Sequence, residues 1–217
     1  MGRRRLNISF DLDGTLTTQS FVNSVWHEGL PKCISLRRGM DITMARQECM
    51  DAYDAVGESS IKWYQLPYWL DYFGLKDTSP EELVTDYSSQ VALFDDVMPC
   101  LEQLGKAGHT LVMFSNASRD FLDIEVSRGN LAGYFHEIIS VCDDWGTVKS
   151  EASAYEKLKS FALGDLVHIG DHITFDYEVP KSVGIDAYHI WRGSGPRMQD
   201  SLTDLQQISR RIICDQE

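Results

Sequence analysis

Long apolar runs are missing from this chain. No segment approaches the roughly 20 apolar residues that a bilayer-spanning helix needs, which argues against a membrane protein. Basic residues are scarce as well, 20 Lys and Arg against 33 Asp and Glu. The resulting net charge of -13 argues against sequence-independent nucleic-acid binding, which Lys and Arg drive by displacing counterions from phosphates. The five cysteines (Cys33, Cys49, Cys100, Cys142 and Cys214) are scattered, with no Cys-x-x-Cys pair. Neither a zinc site nor a disulfide framework is suggested, and a reducing cytoplasm is the expected location. Arg3, Arg4 and Arg5 lead into a short strand pattern rather than an apolar stretch of signal-peptide length. Internal repeats and low-complexity tracts are absent.

What is present is a chain of 217 residues with enough apolar content, 43%, for one sizeable core plus a smaller module. From about residue 93 short apolar segments alternate with helical patterns. Thr110 to Phe114, Glu137 to Val141, Leu166 to Ile169 and Ala187 to Ile190 read as strands. Helical patterns fall near 99–107, 118–129, 151–162 and 176–183, with Pro99 suited to a first turn, Gly108 to an end and Ser118 or Ser153 to a cap. Repeated β-α units predict an α/β fold with a parallel sheet. The spacing of Leu202, Leu205, Ile208, Ile212 and Ile213 predicts an amphipathic closing helix over 199–213.

Residues 20–90 differ. They are rich in Trp, Tyr and Phe at helical spacing and contain no convincing strand, as a helical insertion would. Trp26, Trp63 and Tyr64 are candidates for a pocket lining, and His27, Glu28, Arg37 and Arg38 are polar candidates, although aromatic residues are mostly core and a basic pair is mostly a solvated helix face.

The most informative segment is Ile8-Ser9-Phe10-Asp11-Leu12-Asp13-Gly14-Thr15-Leu16-Thr17. Leu6, Ile8 and Phe10 alternate with Asn7 and Ser9 as in a strand, and two aspartates follow where a loop should begin. Asp and Gly are also ordinary turn residues. Yet Asp11 can both coordinate magnesium and attack an electrophilic phosphorus, while Asp13 can protonate the leaving oxygen. Gly14 permits a sharp turn, and Thr15 offers a hydroxyl and a backbone N–H.

The string DLDGTLT resembles motif I of the haloacid dehalogenase-like (HAD) superfamily of phosphotransferases, and three further segments extend the resemblance in order. Ser115, followed by Asn116, ends the strand LVMF and resembles motif II, where a hydroxyl and a backbone N–H bind a phosphoryl oxygen. Lys149 resembles motif III, whose lysine offsets the negative charge of nucleophile and phosphate, although Lys149-Ser150-Glu151 replaces the usual Lys-Pro-Asp or Lys-Pro-Glu. Gly170-Asp171 with Asp176 five residues later resembles motif IV.

The resemblance implies a HAD-like Rossmannoid three-layer α/β/α core with a parallel five-stranded sheet, spanning 1–19 and 91–217, and a helical cap domain at 20–90. It further implies strand order 5-4-1-2-3, which gathers the four loops at the carboxyl edge of the sheet. Asp11, Asp13, Ser115 and Lys149 would be catalytic, and Asp11, Asp13 and Asp171 would hold Mg2+. Thr15 and Asn116 would support or bind phosphate, and Asp176 would reach the metal through water or pair with Lys149. The expected activity is magnesium-dependent hydrolysis of a small phosphorylated metabolite through an aspartyl phosphate. Phosphomutase chemistry, haloacid dehalogenation and non-catalytic binding of a phosphorylated ligand are the alternatives, and Asp13 weighs against dehalogenation.

Overall fold

The computed structural model describes residues 5–214, so the expectations for Arg3, Arg4 and the outermost chain ends lie outside the described residues. Five strands form one parallel sheet: β1 (Asn7–Phe10), β2 (Thr110–Ser115), β3 (Glu137–Ser140), β4 (Leu166–Gly170) and β5 (Asp186–His189). Their order is β3-β2-β1-β4-β5, the expected 5-4-1-2-3 series read with β1 at the centre. Ile8 pairs in register with Leu111 on one side and Val167 on the other, so β1 is covered along both edges.

Between β1 and β2 the regular elements are helices: α1 (Ser20–Ser24), α2 (Leu30–Arg38), α3 (Ile42–Val56), α4 (Leu66–Tyr72) and α5 (Pro80–Asp86). A π-helical turn at Val25–Gly29 joins α1 to α2. α6 (Val97–Lys106) completes the stretch before β2, and α7 (Arg119–Arg128), α8 (Val141–Trp145), α9 (Ala152–Ala162), α10 (Val179–Ser182) and α11 (Leu205–Cys214) come after it. No helix among the described residues is long and apolar enough to cross a membrane.

The two-residue side-chain period of a strand sorts the sheet into two faces. Ile8, Phe10, Leu111, Met113, Val167 and Ile169 join one apolar cluster with α6, α7 and α11, and that cluster continues into the helices between β1 and β2. Val112, Phe114, Ile139 and Leu166 face the other way and pack on Ala154, Tyr155 and Leu158 of α9. A helix layer on each face therefore makes the expected three-layer α/β/α sandwich, and it buries every central strand on both sides.

Three local expectations change. The strand expected over Glu137 to Val141 stops at Ser140, which accepts a hydrogen bond from the Asp143 N–H and starts the short helix α8. The cap of α9 is Glu151 rather than Ser153, which lies inside the helix. The closing helix begins at Leu205 instead of 199, because the preceding segment is drawn onto the sheet margin, where Trp191 N–H donates to the Leu202 carbonyl at 2.7 Å and Leu202 N–H to that of His189 at 2.8 Å.

Candidate active site

The end of β1 turns sharply because the Leu12 carbonyl accepts from the N–H groups of Thr15, Leu16 and Thr17 at 2.8–3.1 Å. Gly14 sits at φ +80°, and a Cβ there would lie 2.2 Å from an Asp171 oxygen. Only glycine gives both the left-handed backbone and the room for that carboxylate. Arg192, paired with Asp96 at 2.7 Å, donates to the Thr15 carbonyl at 2.6 Å and pins the turn from the far side.

This loop delivers Asp11 to a buried polar centre. Thr15 donates its hydroxyl to one Asp11 oxygen at 3.1 Å, and the Lys149 ammonium binds the other. Lys149 also donates to Asp176 at 2.6 Å, while its own backbone N–H is held by the Asn116 side chain at 2.9 Å. The Asn116 amide donates in turn to the Tyr64 hydroxyl at 2.9 Å. Ser115 lies 2% exposed at the end of β2, its Oγ accepting from the Ala117 N–H at 3.0 Å. Asp11, Asp13, Ser115, Asn116, Lys149, Asp171 and Asp176 all line one cavity of about 290 Å³, and Thr15 supports it from behind.

Charge is unevenly balanced here. Asp176 accepts from Lys149, from the His172 N–H at 3.0 Å and from His168, and these partners overcome burial to hold its carboxyl below the usual carboxylate range. Burial would lower the Lys149 pKa, but Asp11 and Asp176 outweigh it and keep the ammonium charged. Asp171 goes the other way: burial, then the charges of Asp11 and Asp176, raise it well above the ordinary range. Asp13 is pushed up to about 7, first by burial and then by the Asp11 charge.

Oxygens of Asp11, Asp171 and Asp176 lie within 4.8 Å of one another, a group of carboxylates that one lysine does not neutralise. Gly170 leaves the space for this approach, since a Cβ there would fall 2.3 Å from the Asp176 carboxyl carbon. An all-oxygen, carboxylate-rich cluster of this kind suits a hard divalent cation such as Mg2+. The side chain of Asp13 is not part of that group, and Asp176 is drawn toward Lys149.

Trp26, His27, Trp63 and Tyr64 line the same cavity. Arg37 and Arg38 do not: Arg37 pairs with Asp77 at 3.2 Å and Arg38 with Glu48 at 2.6 Å. Glu28 also stands outside the lining.

The motif reading missed a second tier of polar groups. Ser9 and His168 are register partners on β1 and β4, and Ser9 Oγ lies 2.7 Å from His168 Nδ1. His168 Nε2 lies 3.1 Å from Asp176 and 3.0 Å from the Tyr155 hydroxyl. Burial holds His168 below its usual pKa, and in the neutral ring with Nε2–H the Nε2 group donates to Asp176 while Nδ1 accepts a hydrogen bond from the Ser9 hydroxyl. Polar residues within otherwise apolar central strands were the available signal. Glu125 was missed too: it shares the buried face of α7 with Phe121, Leu122 and Val126. Neither of its oxygens has a hydrogen-bond partner of normal geometry, and burial together with the Asp13 charge raises its carboxyl well above the ordinary range.

A family model described as haloacid dehalogenase-like hydrolase matches residues 7–184. Among solved structures, a HAD phosphatase from Thermococcus onnurineus superposes with a TM-score of 0.82 at 22% identity, covering 95% of this chain and 97% of that one. The L-2-haloacid dehalogenase of Xanthobacter autotrophicus superposes at 0.61 with 16% identity, over 97% of this chain and 99% of that one. In sequence, the GMP/IMP nucleotidase YrfG of Escherichia coli (strain K12) is 25% identical over 133 residues, 61% of this chain and 58% of that protein, so the match spans less than two thirds of that relative. Since the family match runs from β1 past Asp176 and takes in every loop that meets at the sheet edge, this chain belongs to the haloacid dehalogenase-like hydrolases.

Proposed function

We propose that the protein is a magnesium-dependent phosphatase that hydrolyses a small phosphomonoester through phosphorylated Asp11, with residues 20–90 acting as a cap domain over a core formed by 1–19 and 91–217. The observation that carries this reading is Asp11 held between Thr15 and a buried, charged Lys149, two residues from a carboxyl whose pKa stands near 7.

Thr15 and Lys149 orient the two Asp11 oxygens for attack on phosphorus, and Lys149 counters the repulsion between carboxylate and phosphate. As the P–O bond to the leaving group breaks, protonated Asp13 gives its proton to the departing alcohol oxygen. Asp13, then a carboxylate, takes a proton from water, whose oxygen attacks phosphorus and returns Asp11 with release of orthophosphate. In this reading the Ser115 hydroxyl and the Asn116 backbone N–H hold phosphoryl oxygens, and the Asn116 side chain ties the Lys149 loop to β2. Asp11 and Asp171 would hold the magnesium ion with Asp13, and the ion would supply positive charge to the transferring group. The relatives support a phosphorylated small molecule as substrate, one being a HAD phosphatase and another a GMP/IMP nucleotidase.

Hydrolysis of p-nitrophenyl phosphate tests the reading. Activity is expected with magnesium, to vanish in excess chelator and to return when magnesium is restored. Unchanged turnover in chelator, or in the Asp11→Asn variant, would contradict it.

A further inference from the structure

Below Lys149 runs a chain of polar side chains that the proposed hydrolysis does not use. It starts at Ser9, whose hydroxyl lies 2.7 Å from His168 Nδ1 and 3.3 Å from the Val167 carbonyl, so the imidazole is its nearer partner. The other ring nitrogen, Nε2, lies 3.1 Å from Asp176 Oδ1, and the Tyr155 hydroxyl stands 3.0 Å from Nε2 and 3.4 Å from the same carboxylate oxygen. Lys149 donates to that oxygen at 2.6 Å and also binds Asp11. The path thus leaves the chain at Ser9 and returns to it at Asp11, two residues on. Ser9, Tyr155 and His168 are fully buried, and the Phe114 ring meets those of Tyr155 and His168 at 5.2 and 6.1 Å. Solvent cannot replace a donor removed from such a place.

Asp176 stands between two positive partners. One of its oxygens lies within 4.8 Å of oxygens of Asp11 and Asp171, close enough to join them around a divalent cation, while Lys149 competes for the same carboxylate. The surrounding donors decide between the two. Oδ1 takes Lys149, His168 and Tyr155, and Oδ2 takes the His172 N–H at 3.0 Å. A carboxylate offers about four acceptor positions, so four donors leave this one little capacity for a metal.

We infer that His168 is a positioning residue that, by donating from Nε2, commits Asp176 to Lys149 and keeps it out of the set of groups that ligate the cation. The inference deepens the phosphatase reading and rests on it, since there Asp11, Asp13 and Asp171 hold the cation and Lys149 must stay beside the nucleophile. Ser9 sets the ring, because its donation to Nδ1 selects the tautomer with the proton on Nε2. A polar network that serves folding alone is the competing outcome.

Binding of Mn2+, which takes the same oxygen ligands as Mg2+, reads the inference without turnover, by electron paramagnetic resonance of the free ion. The informative pair is His168→Asn and His168→Gln, since the Gln amide reaches the place of Nε2 and the shorter Asn amide does not. In His168→Asn, Mn2+ should bind severalfold tighter as Asp176 turns to the cation. An ordinary support of a metal site weakens binding about 10–100-fold when removed, so the sign discriminates. The kcat for p-nitrophenyl phosphate should fall about tenfold in the same variant, the factor of one lost hydrogen bond to a charged group. His168→Gln should return both quantities toward wild type, and Asp176→Asn added to His168→Asn should abolish the tightening. Should His168→Asn fold poorly by circular dichroism, Ser9→Ala carries the test, with the same signs at smaller size. Weaker or unchanged Mn2+ binding in the folded variants, or a His168→Gln no different from His168→Asn, would overturn the inference. Long-range 15N–1H correlation of the histidine rings should place the His168 proton on Nε2, and a proton on Nδ1 alone would overturn it as well. If wild type hydrolyses no ester and the Mn2+ pattern still appears, the phosphatase reading falls and the positioning of Asp176 stands; hydrolysis without that pattern is the reverse.

Discussion

The floor and the roof of the cavity are built on different principles. On the floor, Asp11, Asp13, Asp171 and Asp176 follow the ends of β1 and β4, which pair in register, and Lys149 comes from the loop after α8, tied to the end of β2 through Asn116. Asp11, Lys149 and Asp176 are 5%, 3% and 1% exposed and bonded to one another. The roof comes from helices and turns, Trp26 from a π-helical turn and Trp63 from a 3-10 turn, and its rings hold one another by packing. Buried charges require near-complete pairing and tolerate little change, whereas ring packing accepts repacking at modest cost. The same cavity therefore joins a rigid set of buried charges to a lining that can be repacked, with Tyr64 linking the two through Asn116.

That contrast predicts a ranking of effects. Asp11→Asn should lower kcat by about 10⁴-fold or more without unfolding the protein, as expected when a nucleophile is removed. Steady-state kinetics with circular dichroism checks both halves. Lys149→Met should cost about 10³-fold in activity. Because it strands Asp11 and Asp176, it should also cost about 3–5 kcal/mol of stability by denaturant melts. A floor substitution that altered only substrate preference would break the comparison.

Acid should weaken the floor first. Asp176 is held below its unfolded pKa, so its ion pair contributes fully above about pH 4 and is lost as pH falls toward the folded value. In chelator, the Tm gap between wild type and Asp176→Asn should shrink as pH drops below about 4. A gap independent of pH would remove that linkage. On the roof, Trp63→Leu should change relative kcat/KM among large esters by about tenfold while affecting p-nitrophenyl phosphate less. The smallest effect belongs to Arg37→Ala, whose partner Asp77 is exposed and outside the cavity; it should leave kinetics and stability within error.

Much of the floor was legible in the sequence because its residues are tied to strand ends. DLDGTLT, Ser115, Lys149 and Asp171 follow four apolar runs, and a parallel sheet gathers those ends at one edge. Ser9 and His168 were passed over because a strand pattern reports alternation and not which polar side chains meet across neighbouring strands. Glu125 was hidden for a similar reason, since a single carboxylate on an amphipathic helix reads as surface until packing places it under Asp13. The start of α11 was misjudged because Leu202 belongs to the apolar spacing but bonds to the sheet margin instead. In the roof, composition announced aromatic residues, but only tertiary packing separates Trp63, which faces the cavity, from Trp69, which is fully buried.

Covalent transfer to Asp11 is the claim on which the floor's chemistry depends, and rapid-quench mass spectrometry of Asp13→Asn tests it most directly. This variant keeps the nucleophile and lacks the base for the second step, so incubation with p-nitrophenyl phosphate and magnesium should yield protein heavier by one phosphoryl group. Peptide mapping should place the group on Asp11, and hydroxylamine should remove it. Slow turnover by Asp13→Asn with no adduct at any quench time, or an adduct that persists in Asp11→Asn, would contradict the account.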